Sequence, residues 1–257
     1  GARGLSLFVC DKDPEYVWIR RIENKLGIHG SPTCEIQFNR TPAILIGQRK
    51  RGLTTYVLSL MLGARLAIAA QGVGIAQAAF EEALDYALAR EQFGSQIAKF
   101  PALREMLGEM HMKVETARLL TYETSRIVDV AQGIERAVES GDIKNWPDGD
   151  ELRKSKRKWG RLANVMTPLA KFYATEVAND VAYDAISIMG GSGYMKDYNL
   201  ERYFRDARIT TIYEGTSEIQ VNASVGAVLS GMFESHFQDL HASYEGAQPK
   251  ILERAAE

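Results

Sequence analysis

Cysteine is nearly absent from this sequence. Only Cys10 and Cys34 occur in 257 residues, both in strand-like runs, so a disulfide framework is excluded and a reducing compartment is the simpler reading. An excess of positive charge is also missing. The 31 Lys and Arg are set against 33 Asp and Glu, for a net charge of -2, which argues against a nucleic-acid-binding role. No apolar run is expected to cross a bilayer. The longest weakly polar stretch, residues 58–80, is rich in small residues and interrupted by Arg65, Gln71 and Gln77, and reads as a buried helix. Internal repeats and low-complexity segments are lacking, and Gly1-Ala2-Arg3-Gly4 does not read as a signal peptide or a natural start. Because residues 5–11 are already strand-like, the sequence is expected to begin within a domain.

What is present suffices for a sizeable core: 46% of residues are hydrophobic and 25% charged. Residues 5–46 alternate strand-like runs (5–9, 16–19 and 34–38) with breakers at Asp13-Pro14, Gly30-Ser31-Pro32 and Thr41-Pro42. After Gly52 alanine dominates to Arg90, and Gly63, Gly72 and Gly74 offer close backbone approach at a small cost in helix stability. A second helix starts near Pro101. Its residues Phe100, Leu103, Leu107, Met110, Val114 and Ala117 recur at steps of three and four as one apolar stripe. Residues 135–150 are a polar connection, a third helix runs from Leu152 towards Met189, and a fourth covers 216–231. The third opens with a basic run from Arg153 to Arg161, which reads either as a surface for an anionic partner or as a solvated face pairing with Asp148, Asp150 and Glu151. The fold class is therefore α+β and mostly α. A partial antiparallel β piece (1–51) precedes an up-and-down four-helix bundle (52–231) and an amphipathic tail (232–257).

The stretch that organises the chain is I-T-T-I-Y-E-G-T-S-E-I-Q, residues 209–220. Thr211, Ile212 and Tyr213 favour extended backbone, Gly215 permits a sharp turn, and Thr216 or Ser217 can cap a new helix through its side-chain oxygen. Glu214 thus sits on a short loop ending at a helix start, a place to hold a base rigidly. By itself the stretch also fits a solvated loop glutamate. Two arginines are chemically pointed. Arg65 lies in the apolar helix L-G-A-R-L-A-I-A-A, where an unpaired charge is costly unless its stem is buried and its head reaches water. Arg90, in R-E-Q-F-G at a helix end, can cap the last carbonyls of its helix.

Taken together, S-I-M-G-G-S-G-Y, E-R-Y-F-R-D-A-R and I-T-T-I-Y-E-G-T-S-E-I-Q resemble the C-terminal signature of the acyl-CoA dehydrogenases, and A-A-F-E-E-A-L-D-Y-A-L-A-R-E-Q-F-G-S-Q-I and K-L-G-I-H-G-S-P-T-C-E-I-Q-F-N resemble it further upstream. The resemblance covers nearly all of residues 3–231. It implies that residues 1–51 are the second half of the middle β domain, and that 52–231 form the C-terminal helical domain that binds FAD and acyl-CoA. The long 137–161 segment and the continuation past Gly231 resemble the larger bacterial branch that includes methylthiopropanoyl-CoA dehydrogenases. The tail would then be a helical extension or a linker to a further domain.

By the same resemblance, Glu214 is the base that removes the pro-R α-hydrogen of an acyl-CoA thioester while hydride leaves the β-carbon for flavin N5. Ala64 stands where some members carry the base instead. Arg65, Tyr213 and Gly215 border the substrate. Arg90 and Phe93 reach the FAD of a neighbouring subunit, while Ser187 (often glutamine in the family), Gly190, Gly191, Thr216 and Glu218 lie along the cofactor. A homo-oligomer, a dimer or dimer of dimers, is implied, with no metal and with electron-transfer flavoprotein as acceptor. So are a role in fatty-acid β-oxidation and a location in the bacterial cytoplasm, or in the mitochondrial matrix if eukaryotic. An acyl-CoA oxidase and a non-catalytic helical partner-binding subunit are the alternatives.

Overall fold

The computed structural model describes residues 4–141 and 149–245. Four short strands come first: β1 (Leu7–Val9), β2 (Val17–Ile22), β3 (Cys34–Phe38) and β4 (Ile44–Ile46). They pair as two antiparallel ladders, β1 with β4 and β2 with β3. Cys34 opens β3 as expected, while Cys10 lies just beyond β1, and both thiols are free. The strands bury little: Phe8, Trp18, Ile19, Ile22, Ile36 and Phe38 are all exposed. Two-stranded ladders of this kind have little stability of their own.

After a π-type turn (Gly52–Val57) the chain enters α1 (Leu58–Ala89) and a tight hairpin, β5 (Glu91–Gln92) and β6 (Ser95–Gln96). Then follow α2 (Pro101–Ser140), α3 (Gly149–Met189), a single turn α4 (Gly191–Tyr194), α5 (Leu200–Thr210), α6 (Ser217–Leu229) and α7 (Met232–Glu245). The expected bundle is α1, α2, α3 and α6. Most of the polar connection (142–148) and the end of the tail (246–257) lie outside the described residues, as does the Asp148 side of the basic run.

Pro101 begins α2 behind an extended Phe100, as a proline demands of its neighbour. Of the predicted stripe, Leu107, Met110, Val114 and Ala117 are buried, and Phe100 and Leu103 pack against them half-buried. The α1 face reads Ala69, Val73, Ala76, Phe80, Ala83 and Ala87, one side of a 3.6-residue helix. It lies along an equally alanine-rich face of α3. Small side chains let the two backbones approach, most closely at Gly72, where an added Cβ would sit 2.6 Å from the carbonyl oxygen of Ala174. Gly63 and Gly74 were expected to share this role, but nothing lies within 4 Å of a Cβ at either.

By length and composition, Thr55–Ala89 would suffice to cross a bilayer, contrary to the expectation from its interruptions. Here one face of that helix packs on α2 and α3. A second core cluster, around Ile127, Leu162 and Met166, takes in Phe233 of α7. The buried hydroxyls of Thr121, Thr124, Thr167 and Thr175 each donate to a carbonyl one turn back, at 2.7–2.8 Å, so these four groups are satisfied within their own helices.

Candidate active site

The approach to Glu214 is helical rather than extended. Residues Leu200–Thr210 form α5, and Thr211 keeps right-handed helical backbone (φ -82, ψ -5). Strand preference loses because Leu200, Ala207 and Thr210 bury against the bundle, and because Glu201 grips Arg205 one turn on at 2.7 Å. The chain then reverses through two left-handed residues, Glu214 (φ 55) and Gly215 (φ 98). For glycine that conformation is ordinary. For glutamate it is uncommon and strained, and such residues cluster at functional sites. The Ser217 amide donates to the Thr211 carbonyl at 3.0 Å and closes the turn. Thr216 holds the N-cap position of α6 in extended backbone, but neither hydroxyl caps the helix. The Ser217 hydroxyl donates instead to Glu176 Oε1 at 2.5 Å, and the Thr216 hydroxyl holds the Glu218 carboxyl below the usual carboxylate range.

Three side chains grip this turn by its backbone carbonyls. Arg65 Nε of α1 faces the Glu214 carbonyl at 3.4 Å. Gln220 Nε2 of α6 donates to the Glu214 and Gly215 carbonyls at 3.0 and 2.8 Å. Lys171 Nζ of α3 donates to the Gly215 carbonyl at 2.9 Å. The Tyr213 hydroxyl donates to Gln71 Oε1 of α1. Among the described residues, the Glu214 carboxylate accepts no hydrogen bond and its N–H donates to none. The base candidate is thus clamped by its main chain while its functional groups stay free.

The electrostatics follow from burial. Arg65 is half-buried, which lowers its pKa, opposed by the nearby Glu214 charge. Lys171 is fully buried, and its amine is lowered to about 8 by burial first and by the Arg65 guanidinium second, with Glu176 and Glu214 pulling the other way. Burial also raises the Tyr213 phenol.

Arg65, Tyr213, Glu214 and Gly215 therefore come together as one site. Arg90 and Phe93 do not join it. They lie at the far end of α1, and the twenty-five residues between Arg65 and Arg90 span roughly 37 Å of helix. There the β5–β6 hairpin presents Phe93, left-handed (φ 53) and 95% exposed, with only an edge contact to Phe100. The Gly190–Gly191 bend lies at that same end, since the Tyr86 hydroxyl of α1 meets Ser192 Oγ at 3.3 Å.

Three clefts surround α5. One of about 560 Å³ lies between α5 and the β piece, lined by Leu26, Ile28, Arg208, Ile212 and Tyr213 among others. Its rim is pinned where the Ile28 amide donates to Asp206 Oδ1 at 2.5 Å and Arg205 Nη1 to the Leu26 carbonyl at 3.0 Å. A second, of about 710 Å³, holds Ser187, Tyr183, Tyr194 and Phe204. A third, of about 490 Å³, holds Thr216 and Glu218 with Arg208 and Glu176. Neighbouring clefts share walls: Tyr183 and Phe204 line the second and third, Arg208 and Ile212 the first and third.

Sequence reasoning missed Lys171, Gln71, Gln220 and Arg208. A signal existed for Lys171, a lone cation in the weakly polar run T-P-L-A-K-F-Y-A. In the basic run, Arg153 pairs with Asp150 at 3.5 Å and Lys156 with Glu135 at 3.4 Å, as a solvated face does.

Residues 66–218 match the family described as "Acyl-CoA dehydrogenase, C-terminal domain". The chain is 35% identical over 235 residues to the caffeyl-CoA reductase-Etf complex subunit CarC of Acetobacterium woodii, covering 90% of this chain and 53% of that one. It is 37% identical over 225 residues to the mitochondrial short/branched chain specific acyl-CoA dehydrogenase of Rattus norvegicus, covering 86% and 45%. Among solved structures it resembles butyryl-CoA dehydrogenase from Megasphaera elsdenii with a TM-score of 0.70 and 31% identity, over 89% of this chain and 53% of that one. The chain spans about half the length of the curated relatives it matches. With the family matched across the bundle and the Glu214 turn, this chain belongs to the acyl-CoA dehydrogenase family, whose C-terminal helical domain it carries.

Proposed function

We propose that this chain supplies the base, and part of the cofactor and substrate walls, of an FAD-dependent acyl-CoA dehydrogenase. The observation that carries this reading is Glu214: a glutamate in a strained left-handed turn, clamped through its carbonyl, whose carboxylate and N–H make no hydrogen bond among the described residues. The α-proton of a thioester is only weakly acidic, so its removal needs a fixed base and a stabilised enolate oxygen. The Glu214 carboxylate accepts that proton. The Glu214 N–H, unpaired among the described residues, is available to the thioester oxygen. Arg65 and Gln220 keep the main chain from swinging the carboxylate away.

The residues present fit FAD. Arg208 lines the cleft at the start of α6, where its guanidinium suits a phosphate. The exposed Phe93 ring suits an adenine face. When bound, FAD would accept the hydride that leaves the β-carbon. Thr216 and Glu218 would hold it at the α6 end with Ser187 on α3, and Gly190, Gly191, Arg90 and Phe93, which share the far end of α1, would come from a second copy. The length of α1 supports the last assignment, because one protomer cannot bring Arg90 to its own Glu214 turn. The Ser187 hydroxyl already donates to the Tyr183 carbonyl at 3.2 Å, so its share is small. Electron-transfer flavoprotein is the proposed acceptor, supported by similarity to a relative named as part of an Etf complex.

The test uses the full-length protein. Purified, it should show flavin absorbance and acyl-CoA-dependent reduction of electron-transfer flavoprotein. Glu214→Gln should keep the flavin and lose about 10²–10⁴-fold in kcat, the range of general-base catalysis. A Glu214→Gln enzyme turning over at the wild-type rate would refute the assignment.

A further inference from the structure

Lys171 is the one fully buried lysine among the described residues. It projects from α3, between Ala170 and Ala174 of the apolar face, and its Nζ donates to the Gly215 carbonyl at 2.9 Å. A buried ammonium is expensive unless fully partnered, and the Arg65 guanidinium nearby repels it. A cation so placed does little for stability. What it touches is the backbone that carries Glu214. A left-handed glutamate persists only where its surroundings over-determine it, and the Gly215 carbonyl is the next link of the chain after that residue.

We propose that Lys171 is a positioning residue for the base: through the Gly215 carbonyl it locks the 214–215 turn in its left-handed form, and Gln220 and Arg65 complete the lock from α6 and α1. Gln220 is itself fully buried and spends both amide hydrogens on the same two carbonyls, so the turn is held from three helices at once. Lys171 touches neither substrate nor cofactor and acts only by fixing where the carboxylate stands. The inference rests on Glu214 being the base.

The test is Lys171→Met in the full-length holoenzyme. Methionine keeps the apolar stem and removes the charge and donors. Folding, flavin content and KM should be retained, and kcat should fall by about a hundredfold, the cost of a misplacement near 1 Å. Backbone amide exchange should quicken at residues 211–216 and stay unchanged elsewhere in the bundle. A wild-type kcat, or unchanged exchange at the turn, would overturn the proposal. So would a kcat loss accompanied by faster exchange throughout the bundle, which marks a merely structural lysine. If the wild-type protein shows no acyl-CoA turnover, the functional reading fails by itself, and exchange at the turn still decides what Lys171 holds. Should Lys171→Met not fold, Lys171→Gln is read against the same outcomes.

Discussion

Substituting alanine for glycine within α1 should stabilise or destabilise the protein according to position. In an open helix interior, Gly→Ala gains roughly 1 kcal/mol. At Gly63 and Gly74 nothing lies within 4 Å of the new Cβ, so that gain should appear undiminished. At Gly72 the new atom would stand 2.6 Å from the carbonyl oxygen of Ala174, 2.9 Å from its carbon and 3.2 Å from the Thr175 nitrogen. These are backbone atoms of a helix and cannot turn aside. Reaching ordinary contact, at 3.4 Å or more, requires α1 and α3 to part by most of an ångström. A gap of that size forfeits about a quarter to a half of each dispersion contact along the alanine seam, and overpacking of this kind costs about 1–3 kcal/mol. Gly72→Ala should therefore destabilise by up to about 2 kcal/mol net while its neighbours stabilise by up to about 1 kcal/mol. Urea-unfolding midpoints at unchanged m-value would measure the contrast. Because Gln71 stands beside Gly72, and Lys171 and Glu176 flank Ala174 and Thr175, kcat should fall with it. A Gly72→Ala protein as stable as Gly74→Ala would refute the close-packing account.

Other outcomes follow from the site. Arg90→Ala should lower flavin occupancy and weaken assembly together, read by absorbance ratio and sedimentation; full flavin content in a monomeric variant would contradict the two-subunit reading. Lys171 sets a pH dependence. Its amine titrates at about 8 folded against an ordinary 10.5, so between these values the unfolded chain binds more protons. Stability from this residue must then rise with pH across that window, by about 3 kcal/mol. Lys171→Met should lack the rise, and parallel stability–pH curves for the two proteins would show the assignment wrong.

The helices were legible because their periods are strong. The stripe from Leu103 to Ala117 and the alanine face of α1 mark the buried sides that the fold uses. The Y-E-G-T turn was also legible, since Gly215 announces a reversal at a helix start. The handedness of Glu214 was not, because no local rule places a glutamate in that conformation. The helix α5 was hidden by its own composition: E-R-Y-F-R-D-A-R reads as a polar lead-in and I-T-T-I as strand, and only burial on α3 decides otherwise. Lys171 meets Gly215 across 44 residues, a contact that no local pattern encodes. The three glycines of α1 look alike in sequence, and only the partner helix distinguishes Gly72.

The left-handed Glu214 also bears on how such a site can be lost. Glycine at that position would relieve a backbone strain of about 1 kcal/mol or more and would disturb no side-chain hydrogen bond among the described residues. Selection for thermal tolerance alone, in a library or in a lineage no longer using the reaction, would thus favour removing the carboxylate at little structural cost. The turn would remain after the chemistry had gone, so a relative with an intact fold, glycine at this position and no carboxylate at the position of Ala64 should be read as a former catalyst.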